Sequence, residues 1–157
     1  MKLLFKQRFF SWLDSYDVYN ESGETVYTVK GEIALGHLLK ICDAYGNELA
    51  SIREKLLTWI PKFEIYLGRE RVGIISKRFT FFNPMFDIDF NGWHVEGDWL
   101  GWDYTIMDAS RRHIATVTKE IFNWTDTYSI DVADPKDALC ALMLVTTIDA
   151  EKCSNSD

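Results

Sequence analysis

The residues of this chain that could do chemistry are three histidines, one close pair of aspartates and a recurrent set of basic side chains. His37, His94 and His113 are far apart and fall at turn-like or strand-start positions, so nothing has the spacing of metal ligands. Asp87 and Asp89 stand two apart, which places both carboxylates on one face of a strand. Two hydrolytic carboxylates would need that proximity, but they would also need a cleft, and a solvated strand face carries alternating acids for simpler reasons. No nucleophile elbow, zinc-protease, Walker or dinucleotide fingerprint appears. Basic residues recur where second strands of hairpins should end: Lys30, Arg53 with Lys55, Lys77 with Arg78, and Lys119, with Lys6 and Arg8 showing the same i, i+2 spacing. Gathered at one rim, Arg53, Lys55, Lys77 and Arg78 would form an anion- or lipid-facing patch. Ordinary protection of strand edges is the alternative. The Trp99–Trp102 and Phe79–Phe82 clusters suit barrel packing or the covering of a rim, with an exposed docking surface as the alternative.

These residues are positioned by a repeated strand–turn–strand unit. "YDVYNESGETVYTVK", "LKICDAYGNELASIREK", "FEIYLGRERVGIISK" and "DYTIMDASRRHIATVTK" each hold an apolar anchor, a turn and a second apolar anchor. Val18, Ile41, Ile65 and Ile88 fall 23, 24 and 23 residues apart. Ile88 opens a further hairpin, in which Asn91-Gly92 is a type I′ turn signal. Ala50 and Ile52 point to one face and Ser51 and Arg53 to the other, the period of a half-buried strand. With "LLFKQRF" before and "TDTYSIDVA" after, the chain predicts about twelve antiparallel strands in a meander. Closure into a barrel removes the exposed edges most completely. Units of this length are too short for four-stranded propeller blades; a two-sheet sandwich is the remaining alternative.

The segment "DPKDALCALMLVTTIDAEKC" follows the strands. Asp134 can cap a helix, Pro135 suits its first position, and Asp137 complements the dipole. Ala138 to Ile148 carries no charge on any face, and the hydroxyls of Thr146 and Thr147 can bond back one turn. A helix apolar all round is buried or in lipid. These 11 residues span roughly 16 Å, too short for a bilayer but matched to a barrel of tilted strands. The helix, at about 135–150, is therefore expected to plug the barrel, with a dimer seam or membrane contact as alternatives. A plugged barrel has no interior ligand cavity, which sends any activity to the rims or outer surface.

Composition bounds the rest. The 157 residues fit one domain spanning 1–157, with strands over about 3–132 and a short disordered tail at 153–157. Net charge is −7, with twelve basic and ten acidic groups in the first 82 residues against five and fourteen in the remainder. Such an acidic second half disfavours nonspecific binding to nucleic acid or acidic membranes and argues against nucleic acid as a partner, with a local basic patch on the first half still open. "MKLLFKQRFFSWLDSYD" is broken by charges too early for a secretory signal. Cys42, Cys140 and Cys153 form no disulfide or zinc pattern. A cytoplasmic location follows, where the sequons at Asn20 and Asn123 carry no weight.

The segments "FSWLDSYDVYNESGETVYTVKGE", "LLKICDAYGNELASIREKLLTWIPKFEIY", "VEGDWLGWDYTIMD" and "NWTDTYSIDVADPKDALCALMLVTTID" closely resemble the LURP-one-related family, over about Leu3 to Asp149. That family is similar to the tubby C-terminal domain and the phospholipid scramblases, and the resemblance implies a twelve-stranded barrel around a central C-terminal helix. It implies no established activity. Tubby domains bind phosphoinositides through a basic cluster after the early hairpin; the matching link here, Lys30 to His37, holds one Lys and one Glu and lacks it. Scramblases carry a calcium-associated acidic segment before their helix. Asp126, Asp131, Asp134 and Asp137 fall at a similar place but lack the pattern and glycine of a calcium loop.

The sequence thus leads to a monomeric, tubby-like barrel without metal or cofactor. It is a non-enzymatic surface-binding or regulatory domain, and its target is an unknown protein partner or a membrane phospholipid surface. A hydrolytic enzyme with a rim site built from loop carboxylates or histidine is the alternative.

Overall fold

The structure, a computed structural model, describes residues 1–6, 15–79, 84–89, 91–122 and 125–154. Its strands are β1 (Lys2–Lys6), β2 (Ser15–Tyr19), β3 (Thr25–Ala34), β4 (Gly36–Asp43), β5 (Glu48–Glu54) and β6 (Lys62–Leu67). They continue with β7 (Glu70–Phe79), β8 (Pro84–Ile88), β9 (His94–Asp98), β10 (Asp103–Met107), β11 (His113–Phe122) and β12 (Thr125–Val132). Each strand pairs antiparallel with its neighbours in sequence, and β1 pairs with β12, so the sheet closes into a twelve-stranded barrel with no edge.

The anchor pairs seen in the sequence are cross-strand partners. Val18 faces Tyr27, Ile41 faces Ala50, and Ile106 faces Ala115, each nine residues on. In the third unit Ile65 faces Gly73 rather than Val72, because a register shift follows Ile65. The Asn91-Gly92 pair does not form a two-residue type I′ turn. The ladder ends at Asp87 with His94, the Ile88 N–H donates to the Trp93 carbonyl at 2.9 Å, and the loop between these two is four residues long. The Asn91 side-chain oxygen accepts the Trp93 N–H at 3.1 Å, and of the Asn91-Gly92 pair only Gly92 takes the left-handed conformation, at φ 69°.

The tail enters the barrel. Asp134 caps a 3-10 turn (Pro135–Asp137), which leads into α1 (Ala138–Ser154). Ala141, Leu142, Met143, Leu144, Val145 and Ile148 are all buried, in one cluster with inward side chains such as Val18, Ile41, Ile52, Ile65 and Ile130. Thr146 donates to the Leu142 carbonyl and Thr147 to the Met143 carbonyl, so both hydroxyls are satisfied inside the helix. About twelve strands leave a bore near a helix diameter, so the helix supplies the core that the sheet alone could not fill.

The charges after Ile148 do not end the helix, as the sequence suggested. It runs on to Ser154 with Asp149 and Glu151 both buried. Glu151 is carried inward by an ion pair with Lys77 at 2.8 Å. Asp149 lies near Lys152 and the buried Tyr104, and its burial raises the carboxyl to about 6. Among the described residues no helix is long and apolar enough to cross a membrane, which leaves open what strands can do.

Candidate docking surface

Alternating strand direction sorts the linkers onto two ends of the barrel, and the two ends differ in kind. Where α1 begins, the turns are short and polar. Asn20, Asp43 and Asp108 each accept backbone N–H bonds from the second and fourth residues that follow, at 2.8–3.0 Å. The residue three beyond each is left-handed: Gly23, Gly46 and Arg111. A side-chain oxygen that satisfies its own turn leaves nothing for a partner to complete.

Where α1 ends, the described β3–β4 and β5–β6 linkers are apolar. Among the described residues, Ile33 and Leu35 in the β3–β4 hairpin are 83% and 90% exposed, while Leu57 and Trp59 in the β5–β6 loop are wholly exposed. Leu56, Ile60 and Leu100 at the same end are also exposed. Among the described residues, the exposed large apolar side chains at the other end are Met1, Tyr45 and Leu67, of which Tyr45 alone is as open as those at the tips. Single exposed apolar residues are ordinary, but a group on two adjacent tips marks an interaction site.

The two tips are fastened to each other. His37 Nδ1 lies 2.6 Å from a Glu54 carboxylate oxygen, which also accepts the His37 backbone N–H at 3.2 Å. Leu56 packs so closely on Gly36 that a Cβ there would meet its Cδ2 at 3.1 Å, and Gly36 is left-handed at φ 93°. The β5–β6 loop is closed at its base by Lys55 N–H to the Lys62 carbonyl at 2.9 Å. Within the loop, Thr58 donates to the Lys55 carbonyl at 3.2 Å. Leu57 holds φ at 60°, uncommon for a bulky residue.

The four basic candidates do lie toward this end but do not form one patch. Arg53 and Lys55 are exposed beside the apolar tips, and Arg53 also lies over the Tyr66 ring, 5.5 Å from its centroid. Arg78 points outward and is paired with Asp87 at 2.8 Å. Lys77 turns inward on the same face as Ile75; only 10% of its side chain is exposed, and it pairs with Glu151. Lys77 is therefore part of the core, not of the surface. Alternation sets this: a pair of adjacent basic residues in a strand must split between the two faces. Lys62, at the start of β6, is exposed where Lys77 is not.

The other candidates have structural work. Asp87 holds Arg78, and Asp89 accepts the Ile74 N–H at 2.7 Å. His94 contacts Glu96 and His113 contacts Thr116, both toward the other end from His37. Of the acidic segment, Asp134 is the cap and pairs with Lys136, while Asp131 lies in the β12 ladder opposite Lys2 and Thr116. No group of three potential metal ligands occurs among the described residues. Cys42 and Cys140 are unbridged, and burial pushes the Cys140 thiol up to about 12, far from a reactive thiolate. Trp99 and Trp102 are buried and cover the end of α1; Lys152 lies over Trp102 and donates to the Trp99 and Leu100 carbonyls. Residues 80–83, Arg8 and Asn123, and the side chains of Phe79, Asp126 and Cys153, are outside the described residues.

Sequence reasoning passed over the tips themselves. The signal was present in "KLLTWIPK", four large apolar residues in a segment bounded by strands and a proline. A linker of this length is normally polar.

The chain forms a barrel closed by its first and last strands around its own C-terminal helix, and the LURP-one-related family model matches residues 1–149. The chain belongs to the LURP-one-related family. A LURP-one-related protein thus has its family match over all twelve strands and most of the helix. The chain is 28% identical over 158 residues to the "Uncharacterized protein YxjI" of Bacillus subtilis (strain 168), covering 100% of this chain and 97% of the relative. Its structure is similar to the X-ray structure of an Arabidopsis thaliana protein, with a TM-score of 0.68 at 13% identity, over 96% of this chain and 90% of the other. At that identity the likeness concerns the fold, and the plugged barrel is that shared fold.

Proposed function

We propose that this LURP-one-related barrel is a non-enzymatic docking domain whose target is an anionic phospholipid surface, met by the end at which α1 terminates. One observation carries the reading: exposed apolar side chains gather on two adjacent tips, with Arg53, Lys55 and Lys62 exposed directly behind them. No ion pair engages these three among the described residues. Nearby acids are already occupied, Glu32 by Lys40 at 3.0 Å and Glu54 by His37. Exposed basic side chains thus gather at the tips although the chain as a whole carries −7. Such a charge distribution orients the barrel tips-first toward an anionic surface. A cytoplasmic monomer with this face is the form the reading requires.

The test is co-sedimentation with neutral and anionic vesicles at low and physiological salt, with and without calcium. The protein is expected to pellet with anionic vesicles, more weakly as salt rises, and without a calcium requirement. Each basic residue near such a surface contributes about 1 kcal/mol, so Arg53→Gln with Lys55→Gln should weaken binding by about 2 kcal/mol, roughly 30-fold. Equal binding of that double variant, or no pelleting under any condition, defeats the reading and leaves a protein partner as the target.

A further inference from the structure

We infer that the paired tips, Ile33–Leu35 and Leu56–Ile60, penetrate the bilayer interface rather than rest on it; this deepens the docking reading above and rests on it. Electrostatic attraction alone would need only the basic residues. It gives no account of Ile33, Leu35, Leu57 and Trp59, which lie outside the barrel packing with their surfaces almost wholly in water. Side chains so placed contribute nothing to the core, and each leaves apolar area hydrated until something covers it.

The chemistry of the surroundings selects the cover. A second copy of the chain would bring Arg53, Lys55 and Lys62 against the same three residues, and like charges facing across an interface oppose association. Lipid gives each group a matching layer: acyl boundary for Ile33, Leu35 and Leu57, and headgroups for the basic residues. Trp59 fits the boundary itself, with an apolar ring and one N–H that hydrogen-bonds at headgroup level. Interfacial elements sink about 5–10 Å, far enough to take exposed apolar side chains out of water.

The tips are also prepared for this. The His37–Glu54 contact and the packing of Leu56 on Gly36 hold the two as one unit, and Leu57 keeps a left-handed backbone. A fixed wedge loses little conformational freedom on insertion.

The experiment uses the whole chain with phosphatidylcholine–phosphatidylserine vesicles whose acyl chains are brominated, read by tryptophan quenching. Trp99 and Trp102 are buried in the protein, so the insertion-dependent part of the quenching is assigned by difference with Trp59→Phe. Wild type is expected to be quenched on binding and Trp59→Phe to lose most of that quenching. Leu57→Asp, at a fully exposed position, should melt at the wild-type temperature and bind at least 10-fold more weakly even at low salt. Vesicle binding with no difference between wild type and Trp59→Phe overturns insertion and leaves surface docking standing. Absence of vesicle binding overturns both. A self-associated protein that Leu57→Asp converts to monomer would show that a second copy covers the tips, and would also overturn the inference.

Discussion

Replacing Lys77 with Met will destabilise the barrel by about 3–5 kcal/mol in urea unfolding, the cost typical of removing one partner of a buried ion pair. The Lys77 ammonium is 2.8 Å from Glu151, with the two side chains 10% and 5% exposed, and it lies over the Trp99 ring, 5.5 Å from its centroid. Without it the Glu151 carboxylate remains inside the barrel with its principal countercharge gone. Glu151→Gln should cost a similar amount by stranding the ammonium. The double variant Lys77→Met, Glu151→Leu should recover most of either loss, because well-packed apolar replacements for a buried pair are often neutral or better. A surface role for Lys77 makes the opposite prediction: near-normal stability in the single variant and loss of vesicle binding alone.

Asp149→Asn will stabilise the protein at neutral pH, by up to about 3 kcal/mol. Asp149 is 4% exposed, and burial raises its carboxyl from 3.8 to about 6, with Lys152 pulling the other way. Among the described residues, the charged and titratable groups that act on it are Lys152 on its own helix and, from the barrel wall, the Tyr104 hydroxyl, which burial also raises. Between pH 4 and 6 the folded protein holds a proton that the unfolded chain has released, so stability falls as pH rises through this window. A shift of about two units at about 1.4 kcal/mol each gives the figure. Asparagine keeps the shape but does not ionise. The stability difference between variant and wild type should therefore be largest near pH 7.5 and shrink by about 2.4 kcal/mol by pH 4. A difference that stays flat across this range would show that the Asp149 carboxyl is not held protonated by the fold.

Both predictions concern what the sequence showed least well. The hairpins could be read in advance because their information is local: an apolar anchor, a turn residue and a second anchor nine residues on determine a pair such as Val18 with Tyr27. The helix could be read because no face from Ala138 to Ile148 is polar. Its last turns could not, since Asp149 and Glu151 look like a solvated end until strand β7 brings Lys77 to meet Glu151 from 74 residues away. The same pairing removed Lys77 from the candidate surface. Counting charges along a strand end says how many are near a rim; only the inward or outward phase of β7 says which one reaches it. The apolar tips were missed for a different reason. Exposure is a property of the finished barrel, and Leu57 and Trp59 in a linker have the composition of a buried segment.

Hydrogen–deuterium exchange on the protein bound to anionic vesicles will show whether one end of the barrel is the docking face. Protection is expected over residues 30–38 and 53–62, with the turns at 43–47 and 108–112 exchanging as in the free protein. Protection of those opposite turns, or no change at either end while the protein is vesicle-bound, would contradict it.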